Sequence, residues 1–493
     1  MDSLWLDSIK FNNKKLDISD ISCDVCIIGA GIFGMTCAYY LTKLGFKVIV
    51  LEKDNICSKT TGHTTGKITS QHGLFYKHLI DDYGYNFARL YLQSNEEAIK
   101  NIKNIIDTEK ILCDFSFQNS YVYSTTKQEL KNIKDEINAV RSLNFSCEFA
   151  PTVGLPFETY GSICFKNQAQ FNPAKYVLGL YNSIKNSALI FTNTTVTDVR
   201  KDIDNNYICF ATPSPVDYFP ENNKNFPTHK IKSKYVIMAS HYPFINFPGL
   251  YFTKMYQSTS YTIAIDPKKS LFNGMFLSSS TPTLSFRTAT LENKNLLLIA
   301  GSDHKTGSYC TEFSSYKPLE DLAKKYYPNC EILYHWNTRD CISLDKIPYI
   351  GQYSETLPNL FVGTGFKKWG MTLSNVAANI IIDKITGKKN VYSSIYSSNR
   401  LQPLKNIDEF KNVLVQSTKS LIIDKIKKSQ INFDSIPTNS GSIVEINNQK
   451  IGIFRDLDNN IFAVKPFCTH LGCLLTWNDV DKTWDCPCHR FSF

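Results

Sequence analysis

A chain of 493 residues is too long for one ordinary hydrophobic core, so two or three domains are expected. Charged residues make up 20% and hydrophobic ones 43%, which is ordinary globular usage and excludes a disordered or fibrous chain. The net charge of +9 is mild at this length and no run of about five Lys/Arg occurs, so a solvated basic surface is favoured over nucleic-acid binding. An acidic redox partner is also compatible with it. Of the 15 cysteines, four lie in the last 26 residues and eleven are scattered. That pattern argues against a secreted disulfide framework and for a reducing cytoplasm. No signal peptide is evident, and the one apolar run of about 18 residues, near 25–42, holds glycines needed elsewhere, so no membrane span is expected.

Residues 1–20 read as a polar N-terminal extension. Asp24-Val-Cys-Ile-Ile-Gly29-Ala-Gly31-Ile-Phe-Gly34 then reads as a buried strand running into Gly-x-Gly-x-x-Gly. A helical stretch follows from Met35 to Leu44, with Gly45 as its stop. A second strand, Lys47 to Glu52, ends on an acid 23 residues after Gly29. Each part has a physical role. Gly29 permits the tight turn, Gly31 lets the backbone approach a pyrophosphate, and Gly34 allows close helix–strand packing. The helix N-terminus offers amides and a positive dipole to phosphates. The Glu52 carboxylate can accept from ribose hydroxyls. Together these specify a dinucleotide site without separating FAD from NAD. Cys23 and Cys26 have Cys-x-x-Cys spacing, but Cys26 falls inside the apolar strand, against thioredoxin-like chemistry.

The next segment, Thr60-Thr61-Gly62-His63-Thr64-Thr65-Gly66-Lys67, is a run of hydroxyls and glycines directly after the acidic strand. It resembles the flavin-contacting segment of the glycine/D-amino-acid oxidase family of FAD proteins. That resemblance implies FAD, with Thr60, Thr61, Thr64 and Thr65 along the ribityl chain and ring. It continues through Phe191 to Val199, where Val196 corresponds to the strand meeting the adenine, and through Lys234 to Ser240. Ala-Ser-His stands there in place of the usual Ala-Thr-Gly or Ala-Ala-Gly. It ends with Asp345 to Gly351 and Leu360 to Thr372, a strand, a glycine turn and a helix to about Ile385. Gly365, Gly370, Met371 and Thr372 are then the helix start facing the flavin pyrimidine, where the dipole favours negative charge. The implied fold is α/β, a doubly wound Rossmann-like FAD domain with an interleaved antiparallel-sheet substrate domain, over 21–388.

Within it, residues 75–170 read largely as helices, 212–228 as a Pro/Asn-rich insertion loop, and 250–310 as alternating strands. Arg287 alternates with Ser285, so both can face one side of a strand, and a buried Arg there could clamp a carboxylate; a structural ion pair fits equally. His304, Lys305, Lys367, Lys368 and Trp369 are further substrate candidates by family placement. Covalent FAD attachment would need a placed Cys or His, for which His63 and Cys341 are the candidates, but no motif in the sequence calls for a covalent over a non-covalent flavin. No catalytic base is named, because an amine arriving neutral needs little acid–base help.

Residues 389–436 read as a linker with helical spacing from Asp408 to Lys428, and 437–493 as a small β domain. Its strands feed Cys468-Thr-His470 and Cys486-Pro-Cys488-His489, with fifteen residues between. Two Cys and two His at short spacing suit zinc or a [2Fe–2S] cluster in which two His serve one iron. Zinc fingers usually pair Cys with Cys and His with His, whereas each loop here mixes them. The fuller text, Cys-Thr-His-Leu-Gly-Cys and Cys-Pro-Cys-His, resembles Rieske proteins. That resemblance implies that Cys468 and Cys486 bind one iron and His470 and His489 the other. It makes Cys473 and Cys488 a disulfide pair. The usual Gly-Ser after the last ligand is replaced by Arg490-Phe-Ser-Phe493 and the strands that normally follow do not appear, so a domain shortened at its C-terminus is expected.

The combined resemblance implies a flavin dehydrogenase of a small amine, amino acid or hydroxy compound. Electrons would leave through the Rieske cluster to an external one-electron acceptor, a protein or a quinone. A flavin-dependent modifier of tRNA bases and a non-enzymatic flavin electron carrier are the alternatives.

Overall fold

In the computed structural model the described residues are 3–11, 20–214, 228–245, 247–291, 294–307, 315–400, 433–447, 449–468, 472–480 and 482–486. The insertion loop for the most part, the helical half of the linker, His470, Cys488 and His489 lie outside them.

Strand Ile21–Ile28 sits at the centre of an eight-stranded sheet. It pairs in parallel with Val48–Leu51 on one side and His229–Met238 on the other. Leu189–Phe191 extends the parallel set beyond Val48–Leu51, and Leu357–Thr364 extends it beyond His229–Met238. The apolar run Val25–Ile28 is buried throughout, as expected for a parallel strand covered on both faces. Helix Ile32–Lys43 packs against helix Gly370–Ile385 over this sheet. The expected strand Phe191–Val199 is divided, into Leu189–Phe191 and Thr194–Lys201, with Asn193 between them in the left-handed region at φ 49°.

A second sheet of nine strands is antiparallel except where Met275–Ser278 runs parallel to Ser116–Ser124. Its longest strands lie together at one end, Met255–Asp266 between Lys294–Lys305 and the edge strand Glu331–Ser343. Here the reading of 75–170 as helical needs correction. Helices Tyr76–Tyr83, Tyr85–Thr108 and Leu130–Ser142 are present, but Ser116–Ser124, Glu148–Ala150 and Gly161–Gln170 are strands of this sheet. Gly161–Gln170 buries residues on both faces, so it lacks the period-two alternation that marks a half-exposed strand.

The C-terminal part holds a three-stranded antiparallel sheet, Ser440–Ile446, Gln449–Arg455 and Ile461–Val464. A separate hairpin pairs Thr476–Asn478 with Thr483–Asp485. No helix among the described residues is long and apolar enough to cross a membrane.

Candidate functional site

The strands Ile21–Ile28, Val48–Leu51 and His229–Met238 end at one cavity of about 770 Å³, lined at their carboxyl ends by Ile28, Leu51 and Ala239. This is where open α/β sheets bind ligands. At its base Gly29 has φ +113°, and a Cβ there would lie 2.5 Å from the Ala239 carbonyl oxygen. A Cβ on Gly34 would lie 2.0 Å from the Gly29 oxygen, so the helix can sit against the turn only with glycine there. Gly31 is the N-cap of Ile32–Lys43, with no side-chain cap and no acid in the first turn. The positive helix end therefore faces the cavity. Thr61 Oγ1 accepts from the Ile32 amide at 3.0 Å, fixing the hydroxyl loop to the helix start.

Glu52 is buried at the rim. Its Oε2 accepts from the Ala30 amide at 2.7 Å and its Oε1 from the Asp54 amide at 3.0 Å. Burial raises its carboxyl above the ordinary range, and the two amides work against that rise. Among the lining residues, Ser58 Oγ, His241 Nε2, Thr338 Oγ1 and Ser374 Oγ are buried with no hydrogen-bond partner among the described residues. Buried polar atoms are rarely left so. An extended polar ligand along this wall would satisfy them, and the space falls within the usual range for ligand sites. The residues present thus fit a dinucleotide such as FAD.

Of the positions read from the sequence, Gly29, Gly31, Glu52, Thr60, Thr61, Thr64, Val196, Lys368, Gly370 and Met371 line this cavity, as do His63 and Cys341. The others take different places. Arg287 is buried with its charge spent on backbone. Its Nη1 donates to the carbonyls of Thr65 (2.7 Å), Gly66 (2.9 Å) and Phe171 (3.2 Å), and its Nε to that of Thr288 (2.9 Å). Burial pushes the guanidinium down to about 9. Ser285 Oγ accepts from Lys67 Nζ at 2.6 Å, and Lys67 also donates to the Phe276 carbonyl at 2.7 Å. Burial and the Arg287 charge pull Lys67 down to about 7.

His304 stacks on Tyr261 with ring centroids 5.7 Å apart, Lys305 lies over Tyr256 at 5.2 Å, and Trp369 stacks on His72 at 4.7 Å. Lys367 lies 3.8 Å from the Phe75 ring centre, and burial lowers it to about 7. Thr372 Oγ1 donates to the Thr69 carbonyl at 3.2 Å. Gly365 turns the chain at φ +73° beside Met255.

The sequence reading missed one wall. Tyr316, Trp336, Arg339 and Asp340 line the cavity, and His241 lines it next to Ala239 and Ser240; Trp336 Nε1 donates to the His63 carbonyl at 2.8 Å and Thr60 Oγ1 to the Arg339 carbonyl at 3.0 Å, which ties this wall to the hydroxyl loop. Burial pushes His241 down to about 4, while a hydrogen bond to the Arg339 backbone holds it up in part. Burial raises the Asp340 carboxyl to about 6; Lys368 works to lower it and Asp303 to raise it. Lys368 Nζ meets Asp303 at 2.8 Å. This face of the cavity therefore carries charge of both signs. The displaced Ala-Thr-Gly at 239–241 was the only sequence signal for any of these residues.

In the C-terminal part Cys468 and Cys486 are buried in one apolar cluster with Cys473, Leu475 and Trp484. The Cys468 amide donates to the Cys473 carbonyl at 2.8 Å, and the Gly472 amide to the Cys468 carbonyl at 2.7 Å. Cys473 is disulfide-bonded. Two thiols brought into one dry cluster from separate loops fit a metal–sulfur centre, with the imidazoles read from the sequence outside the described residues. Val480, Lys482 and Thr483 of the hairpin region line the large cavity, and Arg339 Nη2 lies 3.8 Å from Asp485 Oδ1.

Residues 24–384 match the family model of FAD dependent oxidoreductases, and residues 431–493 that of the Rieske [2Fe-2S] domain. The chain is 37% identical over 475 residues, 96% of its own length and 90% of the relative's, to YhfW of Bacillus subtilis (strain 168), named there as a Rieske 2Fe-2S iron-sulfur protein. It is 20% identical over 382 residues, 74% of this chain and 84% of the relative, to gamma-glutamylputrescine oxidoreductase of Escherichia coli (strain K12). In fold it resembles glycine oxidase from Geobacillus kaustophilus, with TM-score 0.63 at 16% identity over 77% of this chain and 99% of that one. The chain belongs to the FAD-dependent oxidoreductase family, binding FAD, and carries a Rieske [2Fe-2S] domain at residues 431–493.

Proposed function

We propose that the chain is a dehydrogenase of a small amine, amino acid or hydroxy compound whose electrons leave through the Rieske [2Fe–2S] centre to an external one-electron acceptor, a protein or a quinone. The observation that carries this reading is the pair of opposite charges, Asp340 and Lys368, lining the same cavity as the nucleotide turn, with Lys368 held by Asp303 at 2.8 Å. Bound FAD supplies a two-electron acceptor ring and the cluster a one-electron centre. The chain's own residues do the rest. Gly29, Gly31 and the open helix end would seat the pyrophosphate, Glu52 the ribose, and Thr60, Thr61 and Thr64 the remainder of the cofactor. Thr65, Gly365 and Thr372 act on the site through the backbone turns they fix.

Asp340, as carboxylate, would hold a cationic amine, and Lys368 would face a substrate carboxylate. Oxidation removes two electrons and two protons from a C–H and its neighbouring N–H or O–H. The protons pass to solvent or to neighbouring side chains, and the electrons leave singly to the external acceptor. The similarity to gamma-glutamylputrescine oxidoreductase, a protein named for an amine substrate, supports keeping amines in the substrate class.

The test is anaerobic addition of a panel of amines, amino acids and hydroxy acids. Loss of the flavin absorbance is followed together with the Rieske EPR signal in the same tube. Both signals are expected to respond to one substrate of the panel. Rapid peroxide formation in air, unchanged by loss of the cluster, would overturn the electron-exit half of the reading.

A further inference from the structure

We propose that the hairpin Thr476–Asp485 is the face by which the C-terminal domain docks on the flavin half, holding the Cys486 thiolate end of the iron–sulfur site against the wall of the cofactor cavity, a placement that rests on the electron-exit reading above. The hairpin has two working faces. On one, Trp484 joins Leu475, Cys468 and Cys486 in the apolar cluster that houses the thiols. Trp477 packs against that cluster and meets Trp484 edge-on at 5.0 Å.

On the other face, Val480 at the turn packs against the apolar cluster of the large antiparallel sheet that contains Tyr316, Leu319 and Tyr327. Val480, Lys482 and Thr483 then complete the cavity lining beside Tyr316, Trp336 and Arg339.

Asp485 fastens the two parts. Its side chain is 3% exposed and lies 3.8 Å from Arg339. The carboxylate is aimed rather than free to swing, since Asn478 Nδ2 donates to it at 3.0 Å and Thr483 Oγ1 at 2.9 Å. Lys482 Nζ braces the turn from behind by donating to the Asn439 carbonyl at 2.6 Å. Asp485 is followed at once by Cys486, so the thiol's Cα stands about 3.8 Å along the chain from the residue that touches the cavity wall. On the other side, Arg339 lies in strand Glu331–Ser343 next to Asp340, which lines the cavity. A buried carboxylate is costly to leave without its cation, so undocking is opposed at the same residue that leads into the ligand loop.

The contact is tested by hydrogen–deuterium exchange on the full-length protein with FAD and cluster bound and no substrate present. In the unaltered protein, amides of the hairpin and of residues 337–341 are expected to be protected together. Val480→Asp, at the hairpin turn rather than in either thiol loop, and Arg339→Glu should each speed exchange of the hairpin amides about tenfold. Each should also speed FAD release by a comparable factor while strand Ile21–Ile28 stays protected. The double change Arg339→Glu with Asp485→Lys should restore protection. Hairpin amides that exchange freely in the unaltered protein, or that respond to neither Val480→Asp nor Arg339→Glu, would overturn the docking. Because no electron donor enters this measurement, a protein whose cluster never receives electrons would still show the docked pattern. An undocked one could still turn over.

Discussion

The nucleotide half and the C-terminal domain place their cofactor residues by opposite means. Gly29, Gly31, Glu52 and Thr61 come from one stretch of chain whose strands are paired on both sides and whose amides are spoken for, Gly29 N to the Leu51 carbonyl at 2.8 Å and Glu52 N to the Phe191 carbonyl at 2.8 Å. That site is formed by the fold itself. Cys468 and Cys486 instead sit on short loops around a small apolar cluster, and strand Ile461–Val464 beside them is exposed along its whole length. Domains of this size bury too little to stand firmly alone. The second site therefore depends on what crosses it: a disulfide at Cys473, the metal its thiols would hold, and the neighbouring domain. One half organises a cofactor; the other is organised by one.

The largest effect should come from breaking the self-sufficient half. Gly34→Val places a side chain where the Gly29 oxygen already stands within 2.0 Å of a Cβ. A loss of about 3 kcal/mol or more is expected, read as a lowered melting temperature together with failure to retain FAD. Survival with full flavin content would show that the turn has slack the packing denies. Smaller and confined to the other half is Cys486→Ser. Metal binding energy is folding energy in small domains. The variant should lose its iron and expose residues 433–486 to protease while the large domain keeps its stability and still binds FAD, releasing it faster as the undocked variants above do. Equal loss in both halves would erase the contrast.

The smallest effect belongs to the wall between them. Asp340 holds its proton up to about pH 6 in the folded state, so attraction for a cationic amine should be present above that pH and fade as pH falls through it. Its effect on stability runs the other way. A carboxyl raised on folding is no burden below the ordinary carboxylate range. Its cost grows as pH rises to about 6 and then stays constant. Asp340→Asn should abolish the limb near pH 6 in kcat/KM and raise KM for an amine about tenfold, roughly the loss of one charge-assisted contact. An unchanged KM would point to an uncharged substrate.

What was legible in the sequence follows the same division. The strand, glycine turn, helix and acid from 24 to 52 could be read because the residues that would hold the nucleotide follow one another within one short stretch of chain, although distant strands brace it. The two thiol loops were legible for the same reason. The charged wall of the cavity was not. Strand Glu331–Ser343 is polar and half-buried along most of its length, so Arg339 and Asp340 look like ordinary solvated residues until the second sheet folds over the first. Arg287 shows the converse. Its strand and alternation were readable, but four carbonyls, drawn from Thr65, Gly66, Phe171 and Thr288, claim its guanidinium. Chain order does not reveal that Gly66 and Phe171 meet it. The strand at 161–170 was hidden because burial on both faces removes the alternation that would announce it; the strand at 116–124 is half-exposed along its first half, with Phe117 turned to solvent, so its apolar residues do not mark a core face.

Lys67, beside that guanidinium, bears on how distant strands of the nine-stranded sheet are tied together, since its own strand, Lys67–Ile68, and the strands of Phe276 and Ser285 all belong to that sheet. Its nitrogen meets two acceptors, the Phe276 carbonyl and the Ser285 hydroxyl, the number of protons a neutral amine carries. With its proton affinity lowered to about 7, the residue becomes a neutral amine as pH rises through that value. Below it, the folded state bears a buried ammonium next to a buried guanidinium. Stability against denaturant should thus climb between about pH 7 and the ordinary lysine range, and Lys67→Met should flatten that climb. The inside of the second sheet is then a place where folding favours losing a proton, and mild alkali, rather than neutrality, is where its strands hold together best.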